Sequence, residues 1–246
     1  MNVVKFFNGI EHANLGKHSK NVKENLSSIL NLEKNETSDS LFLAFSGIEI
    51  EHWKIILSQR NLFLLNSYNA AMYYYDKGIY DEDFLKNSKK INWENHFNYR
   101  YFIESFFLSG SSVLDNVAYL LKVFYDLKLN DKERISFKNI VEKLNSKKVK
   151  NNYDLKGTEQ LLKKLNDIRI NDQRFIKMNI IRNDIAHNNP PLTLTNPVSK
   201  LDGITVIGTG TYQDSAEVKK IMDDFLEVYV EVIDILLNIS KMLNNK

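Results

Sequence analysis

Cysteine is absent from the 246-residue chain, which removes disulfides, thiolate metal sites and thiol nucleophiles together. That usage fits a reducing compartment, and a cytoplasmic location is the expectation. Proline is scarce at 3 residues and glycine at 9, so few breakers interrupt long regular elements. No run of about 18 apolar residues occurs, and no membrane span is expected. The opening MNVVKFFNGIEHANLGK lacks the apolar core of about 7–15 residues that marks a secretory signal. An excess of one charge is missing too: the formal net charge is +2, so no whole-protein field gathers nucleic acid. A local basic groove is compatible with that balance. Arginine is the rare cation, with only Arg60, Arg100, Arg134, Arg169, Arg174 and Arg182 among many lysines.

What is present is helical periodicity. Hydrophobic residues at 43% and charged residues at 26% are those of a globular chain long enough to bury a core. Residues 1–40 are polar and weakly patterned, and read as a loosely ordered segment with a short helix near 20–32. From 41 to 246 the pattern predicts one helical domain. A long helix is expected from Ile48 to about Tyr75, with Trp53, Ile56, Leu57, Leu62, Leu65, Tyr68 and Met72 at three- and four-residue spacing. A second should run from about Trp93 to Leu127. Shorter helices are expected at 136–147, 158–168 and about 171–187, the last carrying Phe175, Met178, Ile181 and Ile185 on one face. Residues 192–212 switch to Thr, Val and Ile around Asn196-Pro197 and Asp202-Gly203, which reads as a β-hairpin. Asp214 and Glu217 have capping-box spacing ahead of a final helix from Val218 to Leu243. The fold class is therefore all-α, an up-and-down bundle with a small hairpin inserted before the last helix.

The stretch IIRNDIAHNNPP, residues 180–191, carries the chemistry. On one continuous helix, residues five apart point about 140° away from each other, since each advances about 100°. Arg182 and His187 would then not share a face. Pro190 disfavours helical geometry at Asn189, which places His187 in the last turn or at the cap, where a cationic ring near a helix C-terminus is also mildly favoured. A histidine at a helix end thus has a purely structural explanation available.

The hexapeptide Arg182-Asn183-Asp184-Ile185-Ala186-His187 also resembles the R-x4–6-H motif of the HEPN superfamily, whose first x is commonly polar, as Asn is. In that family the motif lies on a late helix of an all-α bundle and one further core helix follows, the order expected here. The resemblance implies metal-independent RNA cleavage by a homodimer in which two motifs face one cleft, and no cofactor. Arginine as a residue type can hold a phosphate bidentately and stabilise a pentacoordinate transition state. Histidine can exchange protons with the 2′-hydroxyl or the leaving 5′-oxygen, and the ribose supplies the nucleophile. It implies Arg182 and His187 as catalytic residues, with Asn183 and Asp184 supporting them, and a role among toxins or defence effectors. Some members carry a tyrosine two residues after the histidine, through which a partner enzyme silences them. Here that position is Asn189, so that route of control is not expected and any antitoxin or regulator is unknown.

Other candidates are weaker. The small, polar patch Ser109-Gly110-Ser111-Ser112, with Asp115 and Asn116, is either a close helix crossing or a substrate-contacting wall made by Ser112, Asp115 and Asn116. Lys147, Lys148 and Lys150 form a basic run suited to solvent or to phosphate. His12 and His18 lie in the N-terminal segment, and His52 and His96 are expected at solvent-facing or boundary positions. Glu49, Glu51 and His52 are too closely spaced for a metal set such as H-E-x-x-H. Gly203, Gly208 and Gly210 lack the context of a phosphate-binding loop. The competing reading is a non-catalytic helical module on the same fold, binding a nucleotide or another protein.

Overall fold

In a computed structural model the described residues are 17–32, 41–82, 92–130, 132–147, 149, 155, 157–187, 190–193, 198–201, 204–207 and 212–244. Seven helices run in chain order among them: α1 (Lys20–Ser27), α2 (Leu41–Asp76), α3 (Trp93–Phe124), α4 (Phe137–Asn145), α5 (Glu159–Asn171), α6 (Gln173–His187) and α7 (Ser215–Asn244). Strands β1 (Val198–Leu201) and β2 (Ile204–Ile207) lie between α6 and α7 and pair antiparallel, Val198 opposite Ile207 and Leu201 opposite Ile204. No described helix is long and apolar enough to cross a membrane.

The long helices α2 and α3 are antiparallel, because late residues of one meet early residues of the other. Tyr74 stacks on Phe102, Tyr68 packs on Phe106, and Trp53 stacks on Tyr119 at 3.8 Å between ring centroids. Just past the end of α2 stands Gly78, whose φ of +93° is open to glycine and strained for other residues. Asn95 fixes that corner: its Nδ2 donates to the carbonyls of Tyr74 and Gly78, while its own N–H donates to Asn92 Oδ1 at the start of α3. One buried asparagine thus terminates one helix and helps begin the next.

Helix α7 closes the bundle with Val218, Met222, Phe225, Tyr229, Val232, Leu236 and Ile239 buried at three- and four-residue spacing. Its first turn is held by two carboxylates. Asp214 Oδ1 accepts from Glu217 N at 2.7 Å, and Asp81 Oδ2 accepts from Ser215 N and Oγ, anions well placed at the positive end of a helix. Tyrosine hydroxyls stitch α7 to its neighbours: Tyr229 donates to Asn61, Tyr68 to Asp223 and Tyr99 to the Ser215 carbonyl. Burial raises the pKa of all three phenols.

Three expectations change. Of the segment 1–40, residues 17–32 are not loosely attached: Leu26, Ile29 and Leu32 are buried in the main core, Asn69 donates to Ser19, and His18 pairs with Asp76 at 2.9 Å. The apolar residues there are few, but Leu26, Ile29 and Leu32 are buried and Val22 packs against the core, while Leu30 stays exposed. Leu62 is 53% exposed while Leu64 is fully buried, because the core stripe of α2 runs through Leu57, Leu64, Leu65, Tyr68 and Met72. His96 is buried at 5% exposure, and its ring hydrogen-bonds the Leu192 backbone. Desolvation lowers its pKa, against the opposing pull of Asp81.

Candidate functional site

Helix α6 begins at a cap. Asp172 Oδ1 accepts from Arg174 N at 2.9 Å, and one extended residue, Asp172, is all that separates α6 from α5. Arg174 then bridges to α7 through Glu231 Oε1 at 2.8 Å, which fixes the rotation of α6 about its axis. The Arg174 guanidinium holds the Asp172 carboxyl below the usual carboxylate range. With that rotation fixed, Phe175, Met178 and Ile181 go into the core, and a neighbouring stripe of Phe175, Asn179, Arg182 and Asn183 faces a cavity of about 550 Å³.

The cavity sits where α3, α4, α5 and α6 meet. Ser111, Leu114 and Asp115 come from α3, Ser136, Phe137, Lys138 and Asn139 from the start of α4, and Arg169 from the end of α5, with Arg134 just ahead of α4. Helix α4 can lie there because Phe137, Ile140, Val141 and Leu144 form a clean apolar stripe and Ser136 Oγ caps its first turn. The lining charges are four cations, Arg134, Lys138, Arg169 and Arg182, against one carboxylate, Asp115. For a chain of net charge +2, that is a strong local concentration of positive charge.

Each predicted residue takes a distinct place. Arg182 lies on the cavity wall. Its Nη1 donates to Asn183 Oδ1 at 3.1 Å, and its Nε is covered with no hydrogen-bond partner among the described residues. An unmade bond of that kind costs about 1–3 kcal/mol. Asn183 thus orients Arg182. Asp184 is half-buried and interacts with other groups, but does not line the cavity. His187 is the last residue of α6, exposed and off the cavity. Its position, about 140° around the helix from Arg182, follows from helical geometry, so one chain does not bring the two groups together.

The small patch on α3 divides. Gly110 is a close crossing: a Cβ there would meet Met178 Cε and Phe225 Cε1 at 2.8 Å. Ser111 and Asp115 face the cavity, though one oxygen of Asp115 accepts from Phe137 N at 3.1 Å and so serves the start of α4. Ser112 and Asn116 turn the other way, to Arg60, whose Nη1 donates to Ser112 Oγ, to the Ser112 carbonyl at 3.1 Å and to Asn116 Oδ1 at 2.9 Å. Both side chains are engaged in joining α2 to α3. Lys147 is exposed, while Lys148, Lys150, Gly203, Gly208, Gly210 and Asn189 lie outside the described residues. Glu49 meets Trp53 and Lys122, and Glu51 meets Lys54; no metal-ligating group of three or more is found among the described residues.

The residues that sequence reading missed are Arg134, Lys138 and Arg169. They share no motif: Arg134 lies just ahead of α4, Lys138 in its first turn and Arg169 near the end of α5. Scarcity was the available signal, since three of the chain's six arginines line this one cavity. No curated protein and no solved structure matches the chain. The family model described as HEPN_Cthe2314-like HEPN matches residues 55–244, from within α2 to the last described residue of α7. The chain, with its Arg182–His187 helix followed by one closing core helix, belongs to the HEPN_Cthe2314-like HEPN family.

Proposed function

We propose that the protein is an endoribonuclease whose site is built from Arg182 and His187 of two copies of the chain. The observation that carries this reading is the placement of Arg182, with Asn183 beside it, on the wall of a cation-rich cavity. An RNA phosphate seated there meets a guanidinium with donors to give, and a negatively charged transition state meets more of that charge than the ground state does.

The reaction that suits these groups is attack by the ribose 2′-oxygen on the adjacent phosphorus. His187 removes the 2′-hydroxyl proton as the new P–O2′ bond forms. The P–O5′ bond breaks, and a protonated His187 returns a proton to the departing 5′-oxygen. The products are a 2′,3′-cyclic phosphate and a 5′-hydroxyl, with water consumed only if the cyclic ester is later opened. Arg182 neutralises the equatorial oxygens throughout. Since Arg182 and His187 of one helix diverge by about 140°, the arginine of one copy works with the histidine of a second across a twofold pairing.

The test is cleavage of single-stranded RNA in EDTA. Wild type should cut, leaving cyclic-phosphate ends, while Arg182→Ala and His187→Ala at matched folding should not. Equal cutting by all three would mean that the activity lies elsewhere or in a contaminant. A toxin or defence role, suggested by kinship alone, predicts that expression of wild type but not of His187→Ala arrests growth.

A further inference from the structure

The cavity holds more positive charge than one scissile phosphate uses. Arg182 stands on its α6 wall, and across it stand Arg134, Lys138 and Arg169 from the α4–α5 side. Arg134 and Lys138 are exposed and make no ion pair among the described residues. Arg169 is already engaged at all three nitrogens, Nη1 with Glu142 at 2.9 Å and Nε and Nη2 with Asn166 at 3.3 and 3.0 Å, which leaves it the second N–H of each Nη. The next cavity, of about 950 Å³, shares Arg134 and Asn139 with this one, yet its Lys128, Arg134 and Lys143 are balanced by Asp126, Glu133 and Glu142. Arg134 and Lys138 thus face the Arg182 cavity with no carboxylate partner among the described residues, whereas Arg169 is held by Glu142 and Lys143 of the next cavity by Glu133.

From this we infer that Arg134 and Lys138, with Arg169 behind them, form a second phosphate subsite, seating the phosphodiester next to the scissile one in a single RNA strand. Three features support it. The volume, about 550 Å³, lies in the range of pockets that hold drug-sized or nucleotide-sized ligands. Two arginine forks and a lysine offer planar and point-charge donors suited to phosphate oxygens. The first N–H groups of α4 are already taken by Asp115 and Ser136, so it is the side chains, not the helix end, that remain to bind. The inference rests on the proposed cleavage site for its polarity along the strand, but not for its affinity.

The experiment uses the full chain and 2′-O-methyl RNA, which has no free 2′-hydroxyl and cannot be cut. Binding is measured for a dinucleotide with one phosphodiester and a trinucleotide with two, across a range of salt. In wild type the added phosphodiester should tighten binding about tenfold and steepen the salt dependence by about 0.7 in log–log slope, the value for one further phosphate contact on a single strand. Arg134→Gln with Lys138→Gln should abolish both gains, and Glu142→Gln, which releases Arg169, should enlarge them. Lys128→Gln in the balanced cavity should leave them unchanged. Gains that persist in the double variant overturn the subsite. Inorganic phosphate or a mononucleotide that binds as tightly as the trinucleotide would also overturn it, since the site would then serve a free phosphate. Absence of RNA cleavage with these gains intact would overturn the catalytic reading alone.

Discussion

The seam between α2, α3 and α7 and the corner between α4, α5 and α6 use the same polar residues in opposite ways. In and around the seam, arginine and tyrosine are consumed by the protein itself: Arg60 is bonded to Ser112 and Asn116, and Arg100 to Glu104. Tyr68, Tyr99 and Tyr229 each find an acceptor on or from a neighbouring helix. On the cavity at the corner, among the described residues, Arg134 has no acid partner, Arg182 has only its neighbour Asn183, and Arg169 is the lining arginine that meets a carboxylate, Glu142. A buried polar group must be satisfied internally or it destabilises the fold. A cation on an open cavity carries no such demand, and its unused donors are what a ligand meets. The contrast teaches that function is read from which polar groups the fold leaves unpaired, rather than from where polar groups occur.

The largest expected effect breaks the corner. His187→Ala or Arg182→Ala should lower cleavage by about 10²–10⁴, the contribution usual for a proton-transferring or charge-stabilising group, with the melting temperature close to wild type because His187 is exposed and the half-buried Arg182 bonds only its neighbour Asn183 among the described residues. Arg182→Lys should recover little, since it keeps charge but loses the fork.

The next variants break the seam. Gly110→Val places its side chain against Met178 and Phe225, and overpacking of that kind costs about 1–3 kcal/mol. At about 2–4 °C per kcal/mol for a chain of this size, calorimetry should show a clear fall in Tm. Arg60→Met should cost about 1 kcal/mol through the lost bonds to Ser112 and Asn116. It should leave RNA binding nearly unchanged, the reverse of what Arg134→Gln should do. That double dissociation sharpens the comparison; a common loss of both properties in both variants would erase it.

The smallest effect concerns pH. Burial lowers the His96 pKa, so the unfolded chain takes up a proton first as pH falls. Stability from the neutral ring is complete above the ordinary histidine value of about 6.5 and declines as pH drops below it, levelling once the folded form also protonates. Urea unfolding from pH 7.5 to 5.5 should show a shallower decline for His96→Gln than for wild type, and an identical slope would place the acid sensitivity on other groups.

Much of the helical frame was legible because long periodic stretches with few breakers leave little choice. The Asp214 cap of α7 and the last-turn position of His187 follow from local chemistry that spacing reveals. The identity of Arg182 as the arginine at a cavity was legible through its motif and through nothing else. What stayed hidden depends on distance in the fold. Arg134 and Arg169 are separated by 35 positions and meet only because α4 and α5 pack together. Ser112 and Asn116 looked like substrate contacts until Arg60, on another helix, claimed them. His96 looked like a boundary residue, since nothing near it in sequence announces the Leu192 backbone it bonds.

The claim that one helix carries two halves of a site that work only with a second copy is tested most directly by mixing. Arg182→Ala and His187→Ala chains, each inactive alone, are unfolded together, refolded and assayed for RNA cleavage in EDTA, with mixed dimers verified by native mass spectrometry. The account predicts that activity returns in the mixture, because the intact Arg182 of one chain meets the intact His187 of the other. Mixed dimers that form and stay inactive would contradict it.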